Sequence, residues 1–87
     1  MRITWKEYLK YTEAQWRGTK ARTTAKIETR AGAYVPPGTV VTILGKAGGF
    51  EIDAPVCSHC GMGFYCRKVD PSSLELLEAS PALKAVR

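Results

Sequence analysis

Hydrophobic and polar positions change their period along the chain, and each change predicts an element. Thr4-Trp5-Lys6-Glu7 has the form of a capping box, in which the Thr4 hydroxyl accepts from the Glu7 amide and the Glu7 side chain reaches back to the Thr4 amide. A helix is expected to start there. Trp5, Tyr8, Leu9, Thr12 and Trp16 follow on one stripe of a 3.6-residue period, while Lys6, Glu7, Lys10, Glu13 and Arg17 fall elsewhere. Gly18 supplies the C-terminal stop. The stripe reads as a docking face that packs Trp5 and Trp16 onto the domain, in preference to a platform for stacked bases.

From Thr19 to Thr29 the period becomes two. Ala21, Thr23, Ala25, Ile27 and Thr29 share one side, and Lys20, Arg22, Thr24, Lys26 and Glu28 the other, with Arg30 continuing the outer row. This predicts a strand with a modest inner face and a basic outer one. The stretch from Ala31 to Thr39 contains Pro36-Pro37-Gly38 and is expected to be a loop, since proline removes amide donors and fixes φ. Val40-Val41-Thr42-Ile43-Leu44 is a second strand by β-branched content, closed by the glycine-rich turn Gly45 to Gly49. Phe50 to Ala54 alternates as a third strand, with Phe50 and Ile52 inward and Glu51 and Asp53 outward. A fourth runs from about Gly63 to Val69. Asp70-Pro71-Ser72-Ser73 then predicts a short helical turn, and Leu74 to Leu77 a final strand. Residues 79–87 hold Pro81 and little periodicity, and are expected to fray.

Composition narrows the class. With 87 residues there is room for one small core, and 45% hydrophobic with 24% charged residues are ordinary globular values. No run approaches the ~18 apolar residues that span a bilayer, and charges occupy the start of the chain where a signal peptide carries its apolar segment. A soluble cytoplasmic protein without a membrane partner is the expectation. The net charge of +5 lies entirely in residues 1–30, where eight Lys and Arg face three Glu. That asymmetry favours an anionic partner, although exposed helices and edge strands also carry Lys and Arg to remain soluble.

Three cysteines, Cys57, Cys60 and Cys66, fall within ten residues, and an odd number is not consumed by internal disulfides. Cys57-Ser58-His59-Cys60-Gly61 has the form of a zinc knuckle. Two thiolates two residues apart grip one metal, and Cys66 offers a third ligand from the returning strand. The fourth ligand is open among His59, Asp53, Asp70, water and a residue of another chain. A competing reading makes the segment a hairpin around Gly61-Met62, with Cys57 opposite Cys66 and the cysteines acting as small hydrophobes. A redox role for the Cys57–Cys60 pair is a third alternative, but no helical pattern follows to lower a thiol pKa.

Five short strands in about sixty residues, with a long first loop and a helical turn before the last strand, fit a small closed barrel better than a sandwich, which usually needs ~100 residues. The order resembles the SH3-like small barrel. The resemblance is carried by Val35-Pro36-Pro37-Gly38-Thr39-Val40-Val41-Thr42-Ile43, by Gly49-Phe50-Glu51-Ile52, and by Val69-Asp70-Pro71-Ser72-Ser73-Leu74-Glu75-Leu76. It covers residues 19–78, while the helix of residues 1–18 and the CSHCG segment depart from the ordinary barrel. The combination is similar to small proteins of phages and mobile elements. The expected fold is therefore mainly β: a five-stranded SH3-like barrel with one N-terminal α-helix and a flexible tail over 79–87.

The resemblance implies a non-catalytic binding module for a protein or peptide, with Tyr34, Phe64 and Tyr65 as candidate groove aromatics. Separately, the cysteine spacing makes zinc a candidate stiffener of the hairpin through Cys57, Cys60, Cys66 and His59. No catalytic constellation is visible. The alternative is a nucleic-acid binder in which Lys20, Arg22, Lys26 and Arg30 contact phosphates and Lys6, Lys10 and Arg17 extend the patch. Trp5 and Trp16 also raise a self-association face, since a small barrel has little apolar surface to spare for two indoles.

Overall fold

The structure, a computed structural model, describes residues 2–28, 34–54 and 64–86. Its centre is a five-stranded antiparallel sheet in the order β6-β5-β4-β1-β7. The strands are β1 (Lys20–Thr23), β4 (Val40–Lys46), β5 (Phe50–Ala54), β6 (Phe64–Val69) and β7 (Leu74–Glu78); β2 (Ile27–Glu28) and β3 (Tyr34–Val35) form a separate two-stranded ribbon. The chain is thus mainly β, as expected. Barrel closure is not seen among the described residues, where the outermost strands β6 and β7 do not pair with each other.

The alternating segments behave as their pattern demands. In β5, Phe50, Ile52 and Ala54 are buried and Asp53 is exposed; in β4, Val41, Ile43 and Gly45 point inward. The expected single strand over 19–29 is broken. Thr24 turns away, its amide donating to the Ser73 carbonyl (2.8 Å) and its hydroxyl to the Ser72 carbonyl (3.1 Å), so Ala25, expected to face inward, is exposed. Thr23 is buried, and its hydroxyl donates to the Pro36 carbonyl and accepts from the Thr39 amide. That pair of bonds ties the Pro-Pro-Gly-Thr loop to β1. Gly38 takes φ 84° within it, the left-handed region that glycine enters without penalty.

The expected single N-terminal helix is two. α1 spans Trp5–Lys10 and α2 spans Glu13–Trp16, separated by extended backbone at Tyr11 and Thr12. Thr12 and Gln15 form a full capping box of their own, which starts α2 on a new axis. The break changes which residues are buried. Tyr8, Tyr11 and Trp16 enter the core, whereas Trp5 stays 46% exposed and Leu9 71% exposed. Gly18 ends the segment at φ 89°, its amide bonded to the Ile43 carbonyl.

Aromatic rings connect the helices to the sheet. Trp5 meets Tyr8, Tyr8 meets Phe50, Phe50 meets Trp16 and Trp16 meets Tyr11, each edge to face with centroids 4.9 to 5.7 Å apart. The tail, expected to fray, forms α3 (Pro81–Lys84) against α2, with Leu83 fully buried. Ser80 caps it by accepting from the Leu83 amide and donating to the Gln15 carbonyl, while its own amide donates to the Thr19 hydroxyl.

Candidate binding surface

α1 is short, and its orientation is set by what holds its C-terminal end. The Thr4 hydroxyl accepts from the Glu7 amide (3.1 Å) at the start. At the other end, the Lys46 ammonium from β4 donates to the Tyr8 and Tyr11 carbonyls, 2.8 Å from each, and sits 4.7 Å from the Tyr8 ring centroid. A cation is thereby placed where the last carbonyls of the helix lack backbone partners. The Trp16 indole donates to the same Tyr8 carbonyl (3.3 Å).

The Tyr8 side chain fixes rotation about the helix axis. Its hydroxyl accepts from the Gly49 amide (2.9 Å) and donates to the Gly49 carbonyl (3.3 Å). Gly49 has no alternative residue here: a Cβ would lie 2.7 Å from the Lys68 carbonyl carbon, at φ 149°. With Tyr8 directed inward, a rotation of about 100° per residue carries Leu9 away from the core and sets Lys6 and Lys10 next to it. Trp5, Lys6, Leu9 and Lys10 are all exposed. The result is an apolar strip bordered by two like charges one helical turn apart.

The residues singled out for phosphate contact are not gathered into one row. Lys20 and Arg22 lie on the outer sheet face opposite Glu78 and Glu75 of β7, and the Lys20 ammonium donates to the Thr42 hydroxyl (2.6 Å). Lys26 belongs to the separate stretch before β2, 3.5 Å from a Glu28 carboxylate oxygen and 4.5 Å from the Tyr34 ring centroid. Arg30 lies outside the described residues. Further along the outer sheet face, Asp53 stands opposite Tyr65, whose hydroxyl donates to Glu51; that carboxylate holds the phenol above its ordinary range. Acidic groups therefore interrupt the positive charge of β1. Arg17, named as an extension of the patch, bonds Glu13 and the Leu44 carbonyl.

Of the candidate metal ligands, Cys57, His59 and Cys60 lie outside the described residues. Cys66 lies opposite Ile52 in the ladder and is 5% exposed. Burial pushes its thiol above the ordinary value. Among the described residues no group of three or more His, Cys, Asp or Glu is arranged to hold an ion. Of the groove aromatics, Tyr34 and Tyr65 are both exposed, but on the ribbon and on β6 respectively. Among the described residues no helix is long and apolar enough to cross a membrane.

A single straight helix would carry Trp5 and Leu9 on the docking face with Trp16; with the break they are exposed. The signal for the break was present as Thr12-Glu13-Ala14-Gln15, a second capping sequence. No family model, no curated protein and no solved structure matches this chain.

Proposed function

We propose that this chain is a non-catalytic binding module of the SH3-like kind that receives a protein or peptide segment on the exposed face of α1. One observation carries the reading. Tyr8, Tyr11, Trp16 and Phe50 close the core at this end, yet Trp5 and Leu9 remain outside it, side by side on a helix whose rotation is pinned by Tyr8 and Lys46. A rigid element that displays an indole and an isobutyl group supplies the anchors that protein partners cover.

Magnitudes set the expected strength. The exposed parts of Trp5 and Leu9 amount to on the order of 200 Å² of apolar surface, or about 5 kcal/mol if fully covered. Association itself costs roughly 4–15 kcal/mol, so these anchors alone leave a surplus of at most about 1 kcal/mol, far short of the about 8 kcal/mol of a micromolar complex, and further contacts made by the partner have to supply the rest. The nucleic-acid alternative draws on Lys20 and Arg22, whose cross-strand neighbours Glu78 and Glu75 oppose phosphate approach.

Selection of displayed random peptides on the immobilised chain tests the proposal. Enriched peptides are expected to lose binding to a Trp5→Ser/Leu9→Ser variant whose circular dichroism spectrum matches the parent. Peptides that bind parent and variant equally, or no enrichment at all, would refute it.

A further inference from the structure

We infer that the segment α1 receives is acidic and amphipathic, its apolar side covering Trp5 and Leu9 and its carboxylates meeting Lys6 and Lys10. The inference deepens the binding-module reading and rests on it. Three features of α1 point to this chemistry.

Lys6 and Lys10 are four residues apart, a spacing at which like charges repel and weaken a short helix. Glu7, the one acid of α1, is drawn to the other side, where the Thr4 hydroxyl contacts its carboxylate. Both lysines stand at the margin of the apolar strip; the Lys10 ammonium lies over the Tyr11 ring, 5.4 Å from its centroid, and the Lys6 side chain is exposed beside it. A partner bearing carboxylates relieves the repulsion as it docks, and gains in encounter rate as well.

Leu9 separates an acidic protein segment from a nucleic acid. Base stacking uses a π-face, which Trp5 offers and Leu9 does not. At 71% exposure Leu9 is the most exposed large hydrophobic side chain of the described residues, and a strand of phosphates and bases leaves it in water. An amphipathic helix or turn covers the aliphatic and the aromatic group together while its acids reach the lysines.

The test uses the full chain and a labelled acidic peptide of about 16 residues, with leucines at helical spacing flanked by glutamates, read by fluorescence anisotropy. The same peptide with every glutamate replaced by glutamine is the paired probe. The acidic peptide is expected to bind roughly tenfold or more tightly than its glutamine counterpart, and to weaken by a similar factor against Lys6→Glu/Lys10→Glu and as salt rises. Leu9→Ser is expected to abolish binding, with an unchanged thermal melt showing that the fold persists.

Equal binding of the two peptides, dependent on Trp5 and Leu9, would overturn the acidic character and leave the docking face standing. Binding of neither peptide to a chain that retains its selected peptides would do the same. A single-stranded oligonucleotide that binds through Lys6 and Lys10 but ignores Leu9→Ser would overturn both readings, as would association with phosphatidylserine vesicles in place of the peptide. Concentration-dependent sedimentation lost in Leu9→Ser would name a second copy as the occupant, and so overturn the inference.

Discussion

Lys46→Met removes the cation that holds α1 to the sheet while keeping an unbranched apolar stem of similar reach. In the native chain the ammonium makes two 2.8 Å bonds to carbonyls and lies over the Tyr8 ring. A charge-assisted hydrogen bond contributes about 1.5–3 kcal/mol, and a cation near a helix C-terminus about 0.3–1 kcal/mol. Partial desolvation of the half-buried ammonium offsets much of that sum. The Tyr8 carbonyl keeps the Trp16 indole as a donor, so the loss falls mainly on the Tyr11 carbonyl. The net expectation is about 2 kcal/mol of destabilisation. For a domain of this size that corresponds to a melting temperature lower by roughly 8–16 °C. Thermal and urea unfolding followed by circular dichroism read the effect. Because the lysine also helps orient α1, amide exchange at Tyr8 and Tyr11 is expected to accelerate more than in β4 and β5. A melting temperature within about 3 °C of the parent would refute the claim that Lys46 anchors this helix.

Leu83→Ala is expected to cost about 2–4 kcal/mol in urea unfolding, because the side chain is fully buried; a loss below about 0.5 kcal/mol would return residues 79–87 to a frayed tail. Asp70 caps the turn Pro71–Ser73 by accepting from the Ser72 amide and hydroxyl, and those bonds hold its carboxyl below the ordinary 3.8. A lowered folded-state pKa contributes stability that is present above the unfolded value and lost as pH falls through the folded one, so acid weakens the cap below about pH 4. Asp70→Asn keeps an acceptor for the cap and is expected to flatten that part of the acid unfolding curve; an identical curve would contradict the assignment. Cys66, buried with a raised thiol pKa, is expected to resist iodoacetamide in the folded protein and to react on unfolding, as read by peptide mass mapping. Equal labelling in both states would show that the thiol is not in the core.

The strands were readable where alternation alone decides burial. Phe50 and Ile52 sit on the face their spacing predicts, because the side-chain period of a strand leaves little freedom once one face is apolar. Tertiary contacts decided the remainder. The strand after Thr19 stops at Thr24 because Ser72 and Ser73, distant in sequence, take its hydrogen bonds. Tyr11 falls off the stripe of a straight helix, yet is buried once the axis changes at Thr12. The tail looked featureless, although Ser80-Pro81 is a cap followed by a first-turn proline and Leu83 fills the space beside α2. For the candidate surface the sequence showed the residues but not their exposure. Trp5, Leu9, Lys6 and Lys10 follow a single helical pattern, and it is the long-range bonds of Tyr8 to Gly49 and of Lys46 to the Tyr8 and Tyr11 carbonyls that turn Leu9 outward.

The proposed partner docks on α1 and not on the basic strand β1. The most direct measurement is an amide chemical-shift map of the isotope-labelled chain titrated with a peptide from the display selection. Shifts are expected over residues 4 to 12 together with the Trp5 indole signal, with little change at Lys20, Arg22 or Lys26. Shifts confined to β1 and the β2–β3 ribbon, with the Trp5 signal unmoved, would contradict docking on α1.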